Sequence, residues 1–302
     1  MIFEETGVNE NPLVSVLMTS FNREKYIAEA IESVLASSYK NFELIIVDDA
    51  STDRTVEIAN KYLQKDNRIR MYINEVNLGQ FPNRNRTADY AQGSFIIFVD
   101  SDDKILKDGV SQLVNVMVNN PESGFGMKFK DFDEVVVLDG RDALRRHFFE
   151  RPFLIHGPGA TILRRDFFLG IDKYPVDYGI PGDMFFNLKA CCYTSITLIP
   201  FEFMFYRVHG DQELSNSYDY LYNNYKYLNE ALKLLPLGLN VNELAWLTNK
   251  NKRRFSCNII RFLFTTFNLK KTFKAIRLAN FSLKDFAIGV FYFREKPKLT
   301  HW

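Results

Sequence analysis

The feature that most constrains this chain is an alternation. "LVSVLMTS", Leu13–Ser20, is a short apolar run between Pro12 and Asn22 and reads as a buried strand. "YIAEAIESVLASS" follows, with Ile27, Ala30, Ile31, Val34 and Leu35 at helical spacing. "FELIIVDD" reads as a second strand and "TDRTVEIANKYL" as a helix with Asp53 as its N-cap. "IRMYIN" is a third strand, residues 80–92 a helix with Pro82 in its first turn, and "SFIIFVD" a fourth strand. Strand and helix thus alternate four times in about 100 residues, the spacing of βαβ units. The expectation is an α/β fold with a mostly parallel sheet covered by helices on both faces. In such sheets ligands bind beyond the carboxyl ends of the strands. Here those ends read "TSFN", "VDDAS", "NEVNLG" and "DSDD".

From about Gly124 the pattern changes. "GFGMKF" and "GPGATILRR" read as strands edged by glycine, "GDMFFNLKACC" as a helix, and "SITLIPFEFMFYRVHGDQELS" as one long strand running into a polar loop. Beyond Ser217 the periodicity is helical. The expected division is therefore 1–217 as the α/β domain and 218–302 as a helical, basic extension. The formal net charge of +1 hides an asymmetry: Lys250–Lys298 holds 13 Lys or Arg against Asp285 and Glu295, a net of +11, which leaves −10 for the remainder. The three cysteines include adjacent Cys191 and Cys192, poorly placed to bridge each other, so a reduced, cytoplasmic compartment is expected. The acidic start "MIFEETGVNENPL" does not read as a signal peptide, and no window of about 18 apolar residues suggests a membrane span.

The acids at the strand ends carry the chemistry. Asp100 and Asp102 are two residues apart at the end of a strand, so both point to one side. Aimed at one point they repel unless a cation intervenes, and their hard oxygens suit Mg²⁺ or Mn²⁺. The alternative is an acidic turn that caps the next helix, and Asp103 reads that way. Asp48 and Asp49 can accept hydrogen bonds from a ribose or a base, or can be a solvated strand terminus. Arg84 can offset phosphate charge through forked hydrogen bonds, whereas Arg86 reads as surface. No GxGxxG follows the first strand and no GxxxxGK[ST] occurs, which argues against a dinucleotide-binding dehydrogenase and a P-loop enzyme.

Taken in order, "VSVLMTSFNREKYIAEAIESVLASSYKNFELIIVDDASTDRT" and "NEVNLGQFPNRNRTADYAQGSFIIFVDSDD" resemble glycosyltransferase family 2, inverting enzymes with the GT-A nucleotide-diphospho-sugar transferase fold. The resemblance covers roughly residues 12–215. It implies that Thr19, Phe21, Asn22, Asp48, Asp49, Asn77, Arg84, Asp100 and Ser101 form the nucleotide site. Asp100 and Asp102 match the family's DXD motif, which holds a divalent metal on the donor diphosphate. The family's catalytic base lies in a Glu-Asp pair that opens a helix; the matching pair here is Gly182-Asp183, so the base is retained and its neighbour is not. The same Asp would be favoured at a helix N-terminus whatever its role. "YRVHGDQELS" matches the segment after the last core strand, where His209 implies a further metal ligand; a loop histidine that contacts phosphate or solvent is the other reading.

The resemblance implies a metal-dependent hexosyltransferase that takes a nucleotide-sugar, a UDP-sugar in the first instance, to a glycan or lipid-linked acceptor in surface polysaccharide biosynthesis. The processive members' Gln-x-x-Arg-Trp motif and membrane helices are not found, so one addition per acceptor is expected. A nucleotidyltransferase on a related scaffold and an inactive sugar-nucleotide-binding protein stay open as alternatives. The Phe- and Lys-rich stretch 250–298 reads as a packed helical appendage, as a peripheral membrane contact at the inner face, or as a partner or homo-oligomer contact. Nucleic acid is not expected, since the body is acidic and no recognition motif occurs.

Overall fold

The computed structural model describes residues 11–209 and 217–292. In chain order the elements are β1 Val14–Ser20, α1 Ile27–Leu35, β2 Phe42–Asp48, α2 Thr55–Leu63, β3 Ile69–Ile73, α3 Gln80–Asp89, β4 Phe95–Phe98, β5 Lys104–Ile105, α4 Gly109–Asn119, β6 Ser123–Lys128, β7 Val136–Leu138, α5 Gly140–Phe149, β8 Thr161–Arg164, α6 Arg165–Gly170, α7 Gly182–Cys191, β9 Ser195–Ile199, β10 Met204–Phe205, α8 Ser217–Leu234, α9 Val241–Thr266, α10 Leu269–Leu278 and α11 Leu283–Phe291. They fall into two compact units: Met1–Leu138 with His156–Tyr174 and Thr194–Val208, and Asp139–Ile155 with Pro175–Tyr193 and His209–Trp302.

The first unit is built on an eight-stranded sheet in the order β3-β2-β1-β4-β8-β6-β9-β7. The β3-β2-β1-β4 half is parallel, as the alternation predicts, while β8 runs antiparallel to both β4 and β6. Continuous apolar runs go where both faces are covered: every residue of β2 and β4 is buried. Helix α1 buries Ile27, Ala30, Ile31 and Val34, the stripe expected from the sequence, into the cluster formed by Val14, Val16, Leu44, Ile46 and Ile97. Leucine-sized side chains contribute about 1.5–3 kcal/mol each when fully buried, so this layer dominates the stability of the unit. At the amino edge Glu43 accepts from Ser15 Oγ and from the Gln92 N–H, and Ser15 Oγ accepts from the Gly93 N–H.

Three local expectations change. The helix after the third strand ends at Asp89, not at residue 92. "GPGATILRR" is a 3-10 turn over Pro158–Ala160 followed by β8. The long strand expected after Ser195 is two: β9 ends at Ile199, before Pro200, whose missing N–H cannot continue a ladder. The chain then re-pairs as β10 with β5, an antiparallel two-stranded sheet of its own. Residues 210–215 of "YRVHGDQELS" lie outside the described residues.

The second unit is helical in all its described elements: α5, α7 and α8–α11. Its core includes Tyr225, Phe255, Ile259, Ala275, Ala279 and Phe281, with the Tyr225, Phe255 and Phe281 rings 4.8–4.9 Å apart. Reciprocal capping boxes, Asn240 with Glu243 and Ser282 with Asp285, start α9 and α11. Helix α11 crosses α9 at Gly289, where a Cβ would stand 2.3 Å from Ser256 Oγ and 2.7 Å from a backbone oxygen. Cys191 is buried and Cys192 half-buried, both as free thiols, with burial pushing Cys192 up to about 11. His147 is a core residue: its Nδ1 accepts from the Phe153 and Leu154 N–H groups, and burial holds it near 4.

Candidate functional site

Strands β2 and β3 lie on one side of β1 and β4 on the other, so the strand order reverses beside β1. In open α/β sheets the ligand crevice opens at that point, beyond the carboxyl ends. The residues expected at the nucleotide site from the first four strands gather at this edge of the first unit.

The end of β2 is a completed scaffold. Asp48 is fully buried and accepts from Ser20 Oγ at 2.8 Å, the Ser51 N–H at 2.7 Å and Ser51 Oγ at 2.6 Å. Ser51 Oγ in turn accepts from the Asn22 N–H, and Asn22 Oδ1 accepts from the Thr52 N–H at 2.9 Å. These bonds hold Asn22 and Ala50 at φ values of 52° and 62°, uncommon for residues with a side chain. Asp49, 3% exposed, accepts from Asn74 Nδ2 at 2.7 Å and from the Leu78 and Gly79 N–H groups at 2.9 Å. Gly79 also donates to Asn77 Oδ1, and its φ of 87° is one that a glycine adopts without strain. Two acids therefore shape two loops. Thr19 is half-buried, and Phe21, Asn22 and Asn77 are exposed on the loops thus formed. The expected cap Asp53 lies two residues before α2, where its carboxylate accepts from the Thr55 N–H and hydroxyl.

The end of β4 is different. Asp100, Asp102 and Asp103 crowd one turn, closed by the Asp103 N–H donating to the Asp100 carbonyl, with Ser101 buried between them. Arg84, 4% exposed on α3, pairs with Asp100 at 2.7 Å; Arg23 Nε pairs with Asp102 at 3.0 Å. Asp103 is buried and accepts from the Arg207 N–H at 2.9 Å, while Arg207 Nε donates to the Asp102 carbonyl. Burial pushes the Asp103 carboxyl up to about 7; the Asp100 and Asp102 charges add to the push and the Arg207 N–H opposes it. Arg207 also bonds Glu29 and lies over the Tyr26 ring. Sequence reading missed Arg23 and Arg207. The available signal was position: Arg23 directly follows "SFN" and Arg207 stands two residues before His209.

Asp183 and His209 belong to the second unit. Asp183 is half-buried in the first turn of α7, where its Oδ1 accepts from the Met184 N–H at 2.6 Å. Pro181 and Gly182 start this helix with no side-chain cap. Tyr227, whose hydroxyl is pushed up by burial, feels the Asp183 charge. Asn187 Nδ2 reaches the Leu154 carbonyl, and Phe185 stacks on Tyr178 at 4.6 Å, so the helix carrying Asp183 is fixed by its buried face. His209 is half-buried.

No group of three or more His, Cys, Asp or Glu among the described residues could hold a metal ion. Asp100 and Asp102 supply hard oxygens only. That donor set suits Mg²⁺ or Mn²⁺ taking its other ligands from phosphate and water, and does not suit a closed protein cage.

The model of glycosyl transferase family 2 matches residues 15–174, just over half of the chain. The chain belongs to that family. Over 110 residues it is 42% identical to the putative teichuronic acid biosynthesis glycosyltransferase TuaG of Bacillus subtilis, covering 36% of this chain and 44% of that protein. An uncharacterized glycosyltransferase of Haemophilus influenzae is 41% identical over 109 residues, covering 36% of this chain and 44% of the relative. These curated matches thus span less than half of the relatives' lengths. Among solved structures, S. aureus TarS 1–349 in complex with UDP-GlcNAc superposes with a TM-score of 0.70 at 22% identity, over 92% of this chain and 81% of that 1–349 chain. The mannosyltransferase PcManGT from Pyrobaculum calidifontis, in complex with GDP-Man and Mn²⁺, gives 0.56 at 14% identity over 92% and 78%. The family-2 chain therefore has the GT-A fold, with helices following it.

Proposed function

We propose that this family-2 protein is a metal-dependent inverting transferase. It moves a hexose from a nucleotide-sugar, a UDP-sugar first, to a hydroxyl of a glycan or lipid-linked acceptor in polysaccharide assembly. The observation that carries this reading is the grouping of Asp48, Asp49, Arg84, Asp100 and Asp102 where the strand order reverses. The name of TuaG supports the polysaccharide setting, and the UDP-GlcNAc complex of TarS supports the donor class.

Asp48 and Asp49 hold the two loops, carrying Asn22 and Asn77, that frame the nucleotide. Asp100 and Asp102 would hold a divalent ion, which when bound supplies Lewis-acid stabilisation of the leaving diphosphate. Arg84 donates to the same diphosphate through a forked guanidinium. Asp183 takes the proton of the acceptor hydroxyl as the oxygen attacks the anomeric carbon. The C–O bond to the diphosphate breaks on the opposite face, and the anomeric centre inverts without a covalent intermediate. His209 is proposed as a further metal ligand.

The deciding experiment follows nucleoside diphosphate release from UDP-, GDP- and dTDP-sugars with Mn²⁺, for the full chain and for Asp183→Asn. Release of the nucleoside diphosphate, lost in the variant, is the expected result. Pyrophosphate released from a nucleoside triphosphate and a sugar 1-phosphate, with no diphosphate released from the nucleotide-sugars, would instead establish a nucleotidyltransferase, and unchanged turnover in both Asp183→Asn and Asp102→Asn would end the proposed chemistry.

A further inference from the structure

The helical unit divides its aromatic residues unequally. Phe255, Ile259 and Phe281 fill the core, but Phe264, Phe267 and Phe273 are 67%, 80% and 65% exposed, and Leu269 between them is 58% exposed. These four apolar side chains lie within ten residues, on the last turn of α9, the two-residue connection and the first turns of α10. A second exposed stripe runs along α11 through Leu283, Ala287 and Phe291.

Basic residues are interleaved with them. On α10, Thr272 and Ala275 face inward, and Ala279, which caps the helix, is buried with them. Leu269, Phe273, Lys270, Lys274 and Arg277 occupy the opposite half at helical spacing, and all five are exposed. Arg261 stands one turn before Phe264 on α9, and Lys284 follows Leu283. From Lys250 to Tyr292 the chain carries ten Lys or Arg and one acid, Asp285, which is paired with Lys252.

Phe267 adds an independent argument. It is the αL residue that ends α9, with φ 51°. Glycine or asparagine normally takes that position, because a bulky side chain there strains the backbone. A strained backbone that displays a fully formed aromatic ring to solvent does nothing for the fold. It does suit a surface that buries that ring in something else.

We infer that the exposed faces of α9, α10 and α11 dock on an anionic phospholipid bilayer. The Phe and Leu side chains enter the acyl boundary while Lys270, Lys274, Arg277 and Lys284 meet the headgroup phosphates. Aromatic side chains among lysines are the composition of helices that lie in a membrane interface, and the excess of positive charge favours an anionic leaflet. None of the described helices is long and apolar enough to cross a membrane, so the contact is with one face only. This inference goes beyond sugar transfer and does not rest on it.

The test is sedimentation of the full chain with vesicles of phosphatidylcholine and phosphatidylglycerol at about 7:3, beside pure phosphatidylcholine. Binding is expected to the anionic vesicles at low salt and to weaken as salt screens the charges. Phe267→Gly removes the ring and relieves the αL strain, so it should fold at least as well as the parent. Combined with Phe273→Ser it is expected to lower vesicle affinity by about tenfold or more. Lys270→Gln with Lys274→Gln and Arg277→Gln should abolish the preference for anionic vesicles. No binding to anionic vesicles at low salt, or binding that Phe267→Gly with Phe273→Ser leaves unchanged, overturns the inference. So does sedimentation velocity showing a dimer that the same pair of substitutions dissolves while vesicles are ignored, since the occupant is then a second copy.

Discussion

Two acidic strand ends stand on either side of β1 in the same sheet and are held in different ways. At the end of β2, the oxygens of Asp48 and Asp49 take six hydrogen bonds from hydroxyls, an amide and backbone N–H groups of neighbouring loops. At the end of β4, the Asp100 and Asp102 carboxylates are met by guanidinium groups, Arg84 and Arg23. Neutral donors fixed in loops make a permanent structure. Charged side chains on long stems can exchange partners, which the proposed binding of a cation and a diphosphate requires. Two Asp-rich turns that look alike in sequence thus separate into a framework and a proposed site by the chemistry of their donors.

Substitutions can break that separation. The largest effect is expected from Asp102→Asn, which keeps an acceptor for Arg23 but removes the charge. Donor turnover should fall about a thousandfold, with the melting temperature nearly unchanged. Asp49→Ala should invert this pattern. Three donors lose their acceptor, two of them backbone N–H groups, and stability should drop by about 3 kcal/mol in denaturant titration. Ser51→Ala removes one donor to Asp48 and the acceptor of the Asn22 N–H, for about 1 kcal/mol. Smallest is Arg23→Ala. Its ion pair is partly solvated, so stability should change by less than about 1 kcal/mol. Mn²⁺ binding followed by electron paramagnetic resonance should tighten a few-fold, because a competing cation is gone. Equal loss of stability in Asp102→Asn and Asp49→Ala would erase the distinction between the two turns.

Much of this was legible in sequence because it is local. The apolar runs Val14–Ser20 and Phe42–Asp48 are buried on both faces, and such strands need no partner information to be recognised. The acids at their ends follow from the strand ends. What sequence reading could not reach depends on distant partners. Nothing in "SFNREK" says that Arg23 will find Asp102, 79 residues on. The antiparallel insertion of β8 between β4 and β6 joins segments whose short runs carry no directional signal. Helix α5 went unread because its apolar positions, Ala143, Leu144, Phe148 and Phe149, are spread among arginines. In the basic segment, composition announced amphipathic helices, but which Phe residues are core and which are displayed was decided by the packing around Tyr225.

The small β5–β10 ladder gives the second acidic turn a history as well as a shape. Strand β4 enters the turn from the large sheet and β5 leaves it paired with Met204 and Phe205, about a hundred residues later in the chain. The loops around Asp48 and Asp49 are closed by residues no more than 30 positions away. Contacts between distant segments form slowly, because loop-closure entropy must be overcome first. During folding, and during synthesis from the amino end, the framework at β2 can therefore set early. The turn bearing Asp100 and Asp102 has to wait for residues 204–207. A ribosome that stalls before them would leave every strand of the large sheet made and its β2 scaffold closed, with the turn bearing Asp100 and Asp102 still without β10.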